Sequence, residues 1–122
     1  MPYIAAHPES YAGQAVGSGQ CVAFVEAACG APLTASWTQG AKVKGAALAE
    51  GTAIATFGPD GKYANKTDGT SHAAIYVSQN QVGIQVWDQW LGQPVHQRTI
   101  RFQDGADGAK PVNDGDFFYV ID

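Results

Sequence analysis

The chain changes character near residue 51, and that change limits the folds open to it. Before it stands one segment with helical spacing. Ser18-Gly19-Gln20-Cys21-Val22-Ala23-Phe24-Val25-Glu26-Ala27-Ala28-Cys29-Gly30 puts Val22, Val25 and Cys29 on one face. Ser18 reads as its N-cap, Gly30 as the residue just past its end, and Pro32 as its stop. A second short helical stretch is expected near Ser36-Trp37-Thr38-Gln39, before Gly40. After residue 51 the signals are those of strands: 51–57, closed by the turn cluster Gly58-Pro59-Asp60-Gly61, then 71–77, 83–90 (broken by Pro94), 95–102 and 116–121. The stretch 103–115, with three Gly and three Asp, reads as a solvated connector. A helix followed by a run of antiparallel strands is an α+β pattern, with the helix packed on a sheet of about five strands.

A chain of 122 residues is one domain on size alone. It can bury roughly two-thirds of the surface its unfolded form exposes, so it needs no disulfide or metal to fold. The net charge is −4, and the seven Lys and Arg are scattered, which argues against nucleic acid and against an anionic membrane surface as partners. No apolar run approaches the roughly 18–20 residues of a membrane span. The start, Met1-Pro2-Tyr3-Ile4, lacks the basic and apolar regions of a signal peptide, so the chain is expected to be made in the cytoplasm without one.

The two cysteines, Cys21 and Cys29, belong to the same helical segment. Eight residues of helix separate their Cα atoms by about 12 Å. A disulfide needs them within about 7 Å, so two free thiols are expected. Only a thiolate is a competent nucleophile, and the N-terminal end of a helix favours it through unsatisfied N–H groups and the positive dipole end. Cys21 occupies that end. Cys29 lies at the other, where the neutral thiol is favoured, and reads as core packing. The competing reading of Cys21 is a small buried hydrophobe.

His72 opens an apolar strand; His7, beside Pro8, and His96, after Pro94, read as surface residues. If 71–77 and 83–90 form a hairpin through a three-residue turn at 79–81, Ser78 pairs with Val82 and counting back brings His72 opposite Asp88. A carboxylate there would fix the imidazole tautomer so that its other nitrogen can serve Cys21. A turn with an even number of residues presents Gln89 instead, and an amide can orient a neutral imidazole too. The competing reading of His72 is a satisfied strand-end histidine, and of Asp88 an exposed polar residue.

These residues carry a resemblance. Gly19-Gln20-Cys21-Val22-Ala23-Phe24-Val25 resembles the helix start of the NlpC- and CHAP-type papain-fold cysteine amidases. Gly51-Thr52-Ala53-Ile54-Ala55-Thr56-Phe57 is similar to that family's first strand, and Ser71-His72-Ala73-Ala74-Ile75-Tyr76-Val77 to the strand bearing its histidine. Val86-Trp87-Asp88-Gln89-Trp90 falls where the family places its third polar residue, although Thr52 replaces a usual Asp and Trp90 stands near a position of Asn. The resemblance covers residues 18–90. It implies a papain-like fold, Cys21 as nucleophile, His72 as base, Asp88 as orienting residue with Gln89 as the alternative, and an oxyanion hole made partly by the Cys21 N–H. Gln20, Tyr11 or another donor would complete that hole. It implies no cofactor and no metal, and as substrate the amide bonds of bacterial peptidoglycan peptides. A small version without a leader or wall-binding module looks like an amidase effector of the type VI secretion machine, which would act in the periplasm of a target bacterium and have a cognate immunity protein.

Two other classes compete. The same thiol chemistry serves a deamidase or acyltransferase acting on protein or small-molecule amides. A non-catalytic binding module for glycan or protein could use Trp37, Trp87 and Trp90 as a stacking surface, but strand alternation points Trp87 and Trp90 to opposite faces. A zinc site from Cys21, Cys29 and a histidine lacks the short spacing of structural zinc motifs.

Overall fold

Helix α1 spans Cys21–Cys29, and glycines set both of its ends. Gly19, at φ +86°, turns the chain into it with its N–H on the Val16 carbonyl, 3.0 Å away. Gly30 closes it in the left-handed conformation, donating to the Glu26 carbonyl at 2.9 Å. Ser18 is not the N-cap: its Oγ accepts from the Gln20 N–H at 3.3 Å, and Gln20 holds the cap position in extended backbone with no side-chain cap bond. Cys21 is therefore the first helical residue. The computed structural model describes residues 2–106 and 110–122; Met1 and the middle of the connector expected at 103–115 lie outside the described residues.

Among the described residues six strands form one antiparallel sheet: β1 Gln39–Lys42, β2 Ala53–Thr56, β3 Ala73–Gln79, β4 Gly83–Trp90, β5 Gln93–Arg101 and β6 Phe118–Ile121, in the order β1-β6-β2-β3-β4-β5. The α+β reading holds, with one strand more than expected. The helical stretch expected near Ser36-Trp37-Thr38-Gln39 is instead a 3-10 turn, Thr34–Ser36, that runs into β1. The reason is tertiary. Gln39 pairs with Ile121, and Thr38 exchanges backbone hydrogen bonds with Asp122 at the far end of the chain, which no local signal announces. Pro94, expected to sit between strands, is the second residue of β5. It is tolerated because the β4–β5 pairing is irregular there, shifting between His96 and Gln93 on either side of it.

Alternation along the central strands builds two cores. Ala53, Ala55, Ala73 and Ile75 face α1, against Phe24, Val25 and Trp37; the small alanines leave room for the helix to sit close. Burying Phe24 completely against them contributes on the order of 1.5–3 kcal/mol. Ile54, Ala74, Tyr76, Ile84, Val86, Ile100 and Phe118 line the other face, under Val43, Leu48 and Phe102. The helix rests on β3 and β4. Its N-terminus is thereby held at the end of the sheet where His72 leads into β3 and Asp88 nears the end of β4.

Candidate active site

Two threonine contacts set the backbone of His72 just before β3. Its N–H donates to Thr56 Oγ1 at 3.1 Å, and its carbonyl accepts from the Thr56 N–H at 3.0 Å. The imidazole is buried, edge-on to Trp90 and Phe118 with ring centroids 6.3 and 6.4 Å away. Its Nε2 donates to Asp88 Oδ2 at 2.7 Å. That leaves Nδ1 for Cys21, the second group that acts on the ring's protonation. Burial alone would lower the His72 pKa, but the hydrogen bonds to Asp88 and Cys21 and their charges push it up to about 9.

Cys21 answers in the opposite direction. Burial raises its thiol, and the hydrogen bond and charge of His72, the Ala73 N–H and Tyr63 outweigh that and hold it below its ordinary value. Both shifts run toward a thiolate facing an imidazolium. The Tyr63 hydroxyl lies 3.7 Å from Sγ, and burial followed by the charge of Cys21 drives its pKa far up, so it remains a protonated donor. Cys29 is also a free thiol. Burial raises it, and its Sγ donates to the Val25 carbonyl at 3.0 Å.

The hairpin does not have the register expected for it. Its turn occupies 80–82, and Gln79 pairs with Ile84 and Ser78 with Gln85 rather than Val82. That register, continued, would put Gln89 on the face of His72. An irregularity between Tyr76 and Ser78 shifts the pairing by one residue, so that Tyr76 meets Val86 and Ile75 meets Trp87. Continuing from there, Asp88 falls opposite Ala74, one diagonal step from His72, on the expected face but not directly across. Gln89 points the other way and does not reach the imidazole. Fully buried, it accepts from the Val16 N–H at 2.8 Å and donates to the Val16 and Gln20 carbonyls at 2.9 and 2.7 Å. Its work is to hold the segment that leads into α1.

Asp88 is also fully buried and gathers three cationic or potentially cationic groups. Besides His72 Nε2, its Oδ2 accepts from Arg98 Nε at 2.8 Å, and its Oδ1 lies 3.1 Å from His96 Nε2. Burial raises its pKa, but His72 and Arg98 together bring it below the usual carboxylate value. His96 is thus not the surface residue expected: it is directly opposite Asp88 in the β4–β5 pairing and lies edge-on to Trp90 at 5.1 Å. Arg98, which the sequence reading missed, stands opposite Val86 and packs its guanidinium over Trp90 at 5.1 Å. No local signal gives either: counted through the short turn at Leu91-Gly92, Asp88 would face Val95, and only the shift between Asp88 and Trp90 brings His96 opposite Asp88 and Arg98 opposite Val86.

A cleft of about 620 Å³ opens over these groups, lined among others by Cys21, Tyr63, Lys66, His72, Trp90 and Arg98. Gln20 lines it too, at the uncapped helix start. Tyr11 does not: its hydroxyl is on the Ala27 carbonyl at 3.4 Å and its ring is edge-on to Phe24. The tryptophans form no common platform. Trp37 is core, Trp87 packs on the helix side of the sheet, and Trp90 alone of the three lines the cleft. A thiolate, an imidazolium and unspent helix N–H groups around one cleft can attack an acyl carbon, hold the resulting oxyanion and protonate a leaving group.

Comparison with known proteins finds amidases. A family model described as domesticated amidase effector 2 matches residues 2–121. A domesticated amidase effector 2 of Ixodes scapularis is 39% identical over 109 residues, covering 84% of this chain and 70% of that protein. A type VI secretion amidase effector 2 protein of Salmonella typhi is 39% identical over 108 residues, 83% of this chain and 80% of that one. A solved structure of a type 6 secretion amidase effector 2 matches with a TM-score of 0.84 at 31% identity, over 98% of this chain and 94% of that chain.

Proposed function

The chain belongs to the domesticated amidase effector 2 family, and from that premise we propose that it is a thiol amidase cleaving amide bonds in bacterial peptidoglycan peptides. In this reading the Cys21 thiolate attacks the amide carbonyl, and the oxyanion is held by the Cys21 N–H and the Tyr63 hydroxyl. His72 gives its Nδ1 proton to the departing amine as the C–N bond breaks, leaving a thioester on Cys21. A water then loses its proton to His72, attacks the thioester and releases the carboxylate and the thiolate. Asp88 accepts from Nε2 throughout and keeps the ring in the orientation both half-reactions need. Gln20 lines the mouth of the cleft, its backbone N–H already taken by Ser18 Oγ and its carbonyl by Gln89.

The observation that carries the reading is a thiol at an uncapped helix start, lining one cleft with a histidine that is hydrogen-bonded to a buried carboxylate and that lowers the thiol's pKa. Names of the relatives extend it: two are type VI secretion amidase effectors. We propose the same employment here, with delivery by that machine, action in the periplasm of a target bacterium, and a cognate immunity protein that covers the cleft in the producing cell. No helix among the described residues is long and apolar enough to cross a membrane.

Digestion of purified peptidoglycan peptides, wild type beside Cys21→Ala, with products weighed by mass spectrometry, tests the core of the proposal. Cleavage by the wild type alone is expected. Equal product from both proteins removes Cys21 from the chemistry, and no product from folded wild type removes peptidoglycan as the substrate.

A further inference from the structure

The cleft differs in charge from the rest of the chain. The sequence has 11 acidic residues against 7 basic ones, yet the described residues lining the cleft include Lys66 and Arg98 and not one Asp or Glu. The buried Asp88 beneath the cleft is already shared among His72, His96 and Arg98. Lys66 is exposed and makes no hydrogen bond to a described residue. Its nearest acid by electrostatic effect, Asp68, is committed to the N–H and hydroxyl of Thr70.

Arg98 is the more telling of the two. Only its Nε is used, on Asp88, while its face lies over Trp90. The two terminal nitrogens hydrogen-bond to none of the described residues, although the side chain is only 21% exposed and stands in the cleft wall. A guanidinium held in place by Asp88 and Trp90, with both terminal amines free of partners among the described residues, has the donor geometry that a carboxylate satisfies in a bidentate fashion.

We propose that the cleft selects its substrate by a free carboxylate, held by the terminal nitrogens of Arg98 with Lys66 supplying the longer-range attraction. Because Arg98 is one side chain removed from His72 through Asp88, the recognised carboxylate lies close along the peptide to the amide that is cut. This rests on the amidase reading above and names the substrate class within it: acidic peptides, with amidated forms disfavoured. Arg98 thereby has two tasks, one toward Asp88 and one toward the ligand, and Lys66 only the second.

Binding to Cys21→Ala separates this claim from catalysis. A synthetic peptidoglycan stem peptide with its carboxylates free, and the same peptide with them converted to primary carboxamides, are titrated by calorimetry at low salt. The amidated peptide is expected to bind about tenfold more weakly or worse. Adding Lys66→Gln should reduce that ratio several-fold with no change in melting temperature, and adding Arg98→Gln should bring it close to one. Equal affinity for the two peptides, no binding of either, or an unchanged ratio in the Lys66→Gln and Arg98→Gln proteins overturns the proposal. Cleavage by Cys21→Ala would instead sink the nucleophile assignment and leave the discrimination between the peptides standing.

Discussion

The two ends of α1 carry the same side chain in opposite circumstances. At the first residue, Cys21 faces an imidazole, the Ala73 N–H and a protonated tyrosine, and its thiol is held below the ordinary value against the pull of burial. At the last residue, Cys29 bonds the Val25 carbonyl of its own helix, and burial meets no opposing cation, so its thiol is pushed up. Burial acts in the same direction on both. What separates them is that His72, the Ala73 N–H and Tyr63 gather on Cys21 and outweigh its burial, whereas Cys29 has only the Ala31 N–H to set against its own. A thiol becomes a nucleophile here by position, and each prediction below either disturbs that position or measures its effect.

The largest expected effect comes from the far end of the relay. In Asp88→Asn the carboxylate that draws the Nε2 proton and stabilises the imidazolium is gone, while the shape of the site is nearly kept. Turnover on peptidoglycan peptides is expected to fall roughly 10²–10⁴-fold. Labelling of Cys29 should be untouched and labelling of Cys21 slowed at neutral pH. Near-normal turnover from a folded Asp88→Asn protein would show that Arg98 and His96 position His72 without the carboxylate.

A milder perturbation, pH, reads the two thiols against each other. Because Cys21 is lowered and Cys29 raised from the ordinary 9.0, iodoacetamide should modify Cys21 at neutral pH and reach Cys29 only well into the alkaline range. Activity depends on the imidazolium as proton donor to the leaving amine. With His72 raised to about 9, kcat/KM is expected to hold through neutral pH and decline as pH rises through about 9. On the acid side it declines as the Cys21 thiolate takes up its proton, below the ordinary thiol range. Coincident labelling profiles for the two cysteines would erase the contrast that the helix draws.

How much of this could be read from residues alone follows a physical line. The helix, Cys21 at its start and His72 before an apolar strand are local signals and were legible as such. The choice between Asp88 and Gln89 was not, because it turns on irregular pairing. The turn register of the β3–β4 hairpin favours Gln89, and the shift between Tyr76 and Ser78 reverses it. A second shift, between Asp88 and Trp90, sets His96 directly opposite Asp88. Bulges insert a residue without a mark in the sequence, and each one flips the side chains beyond it to the other face. Arg98 escaped for the same reason, one hairpin further on. Strand β1 escaped because its partner, β6, lies at the opposite end of the chain.

The smallest expected effect falls on the other thiol and completes the contrast. Cys29 is half-buried against the helix-side core and returns its hydrogen to its own helix. Truncation to alanine removes one sulfur from a partly exposed site and breaks a bond whose acceptor, the Val25 carbonyl, lies near the helix end. The cost is about 1–2 kcal/mol, in the range of small core truncations. Denaturant titration should show a lower midpoint with an unchanged slope, the sign of lost stability without a change in the surface exposed on unfolding. Peptidoglycan cleavage should match wild type below the new melting range, since nothing in the relay touches Cys29. A Cys29→Ala protein that is fully stable yet slow would mean that the far end of α1 communicates with its start, and position at the helix terminus would no longer account for which thiol reacts.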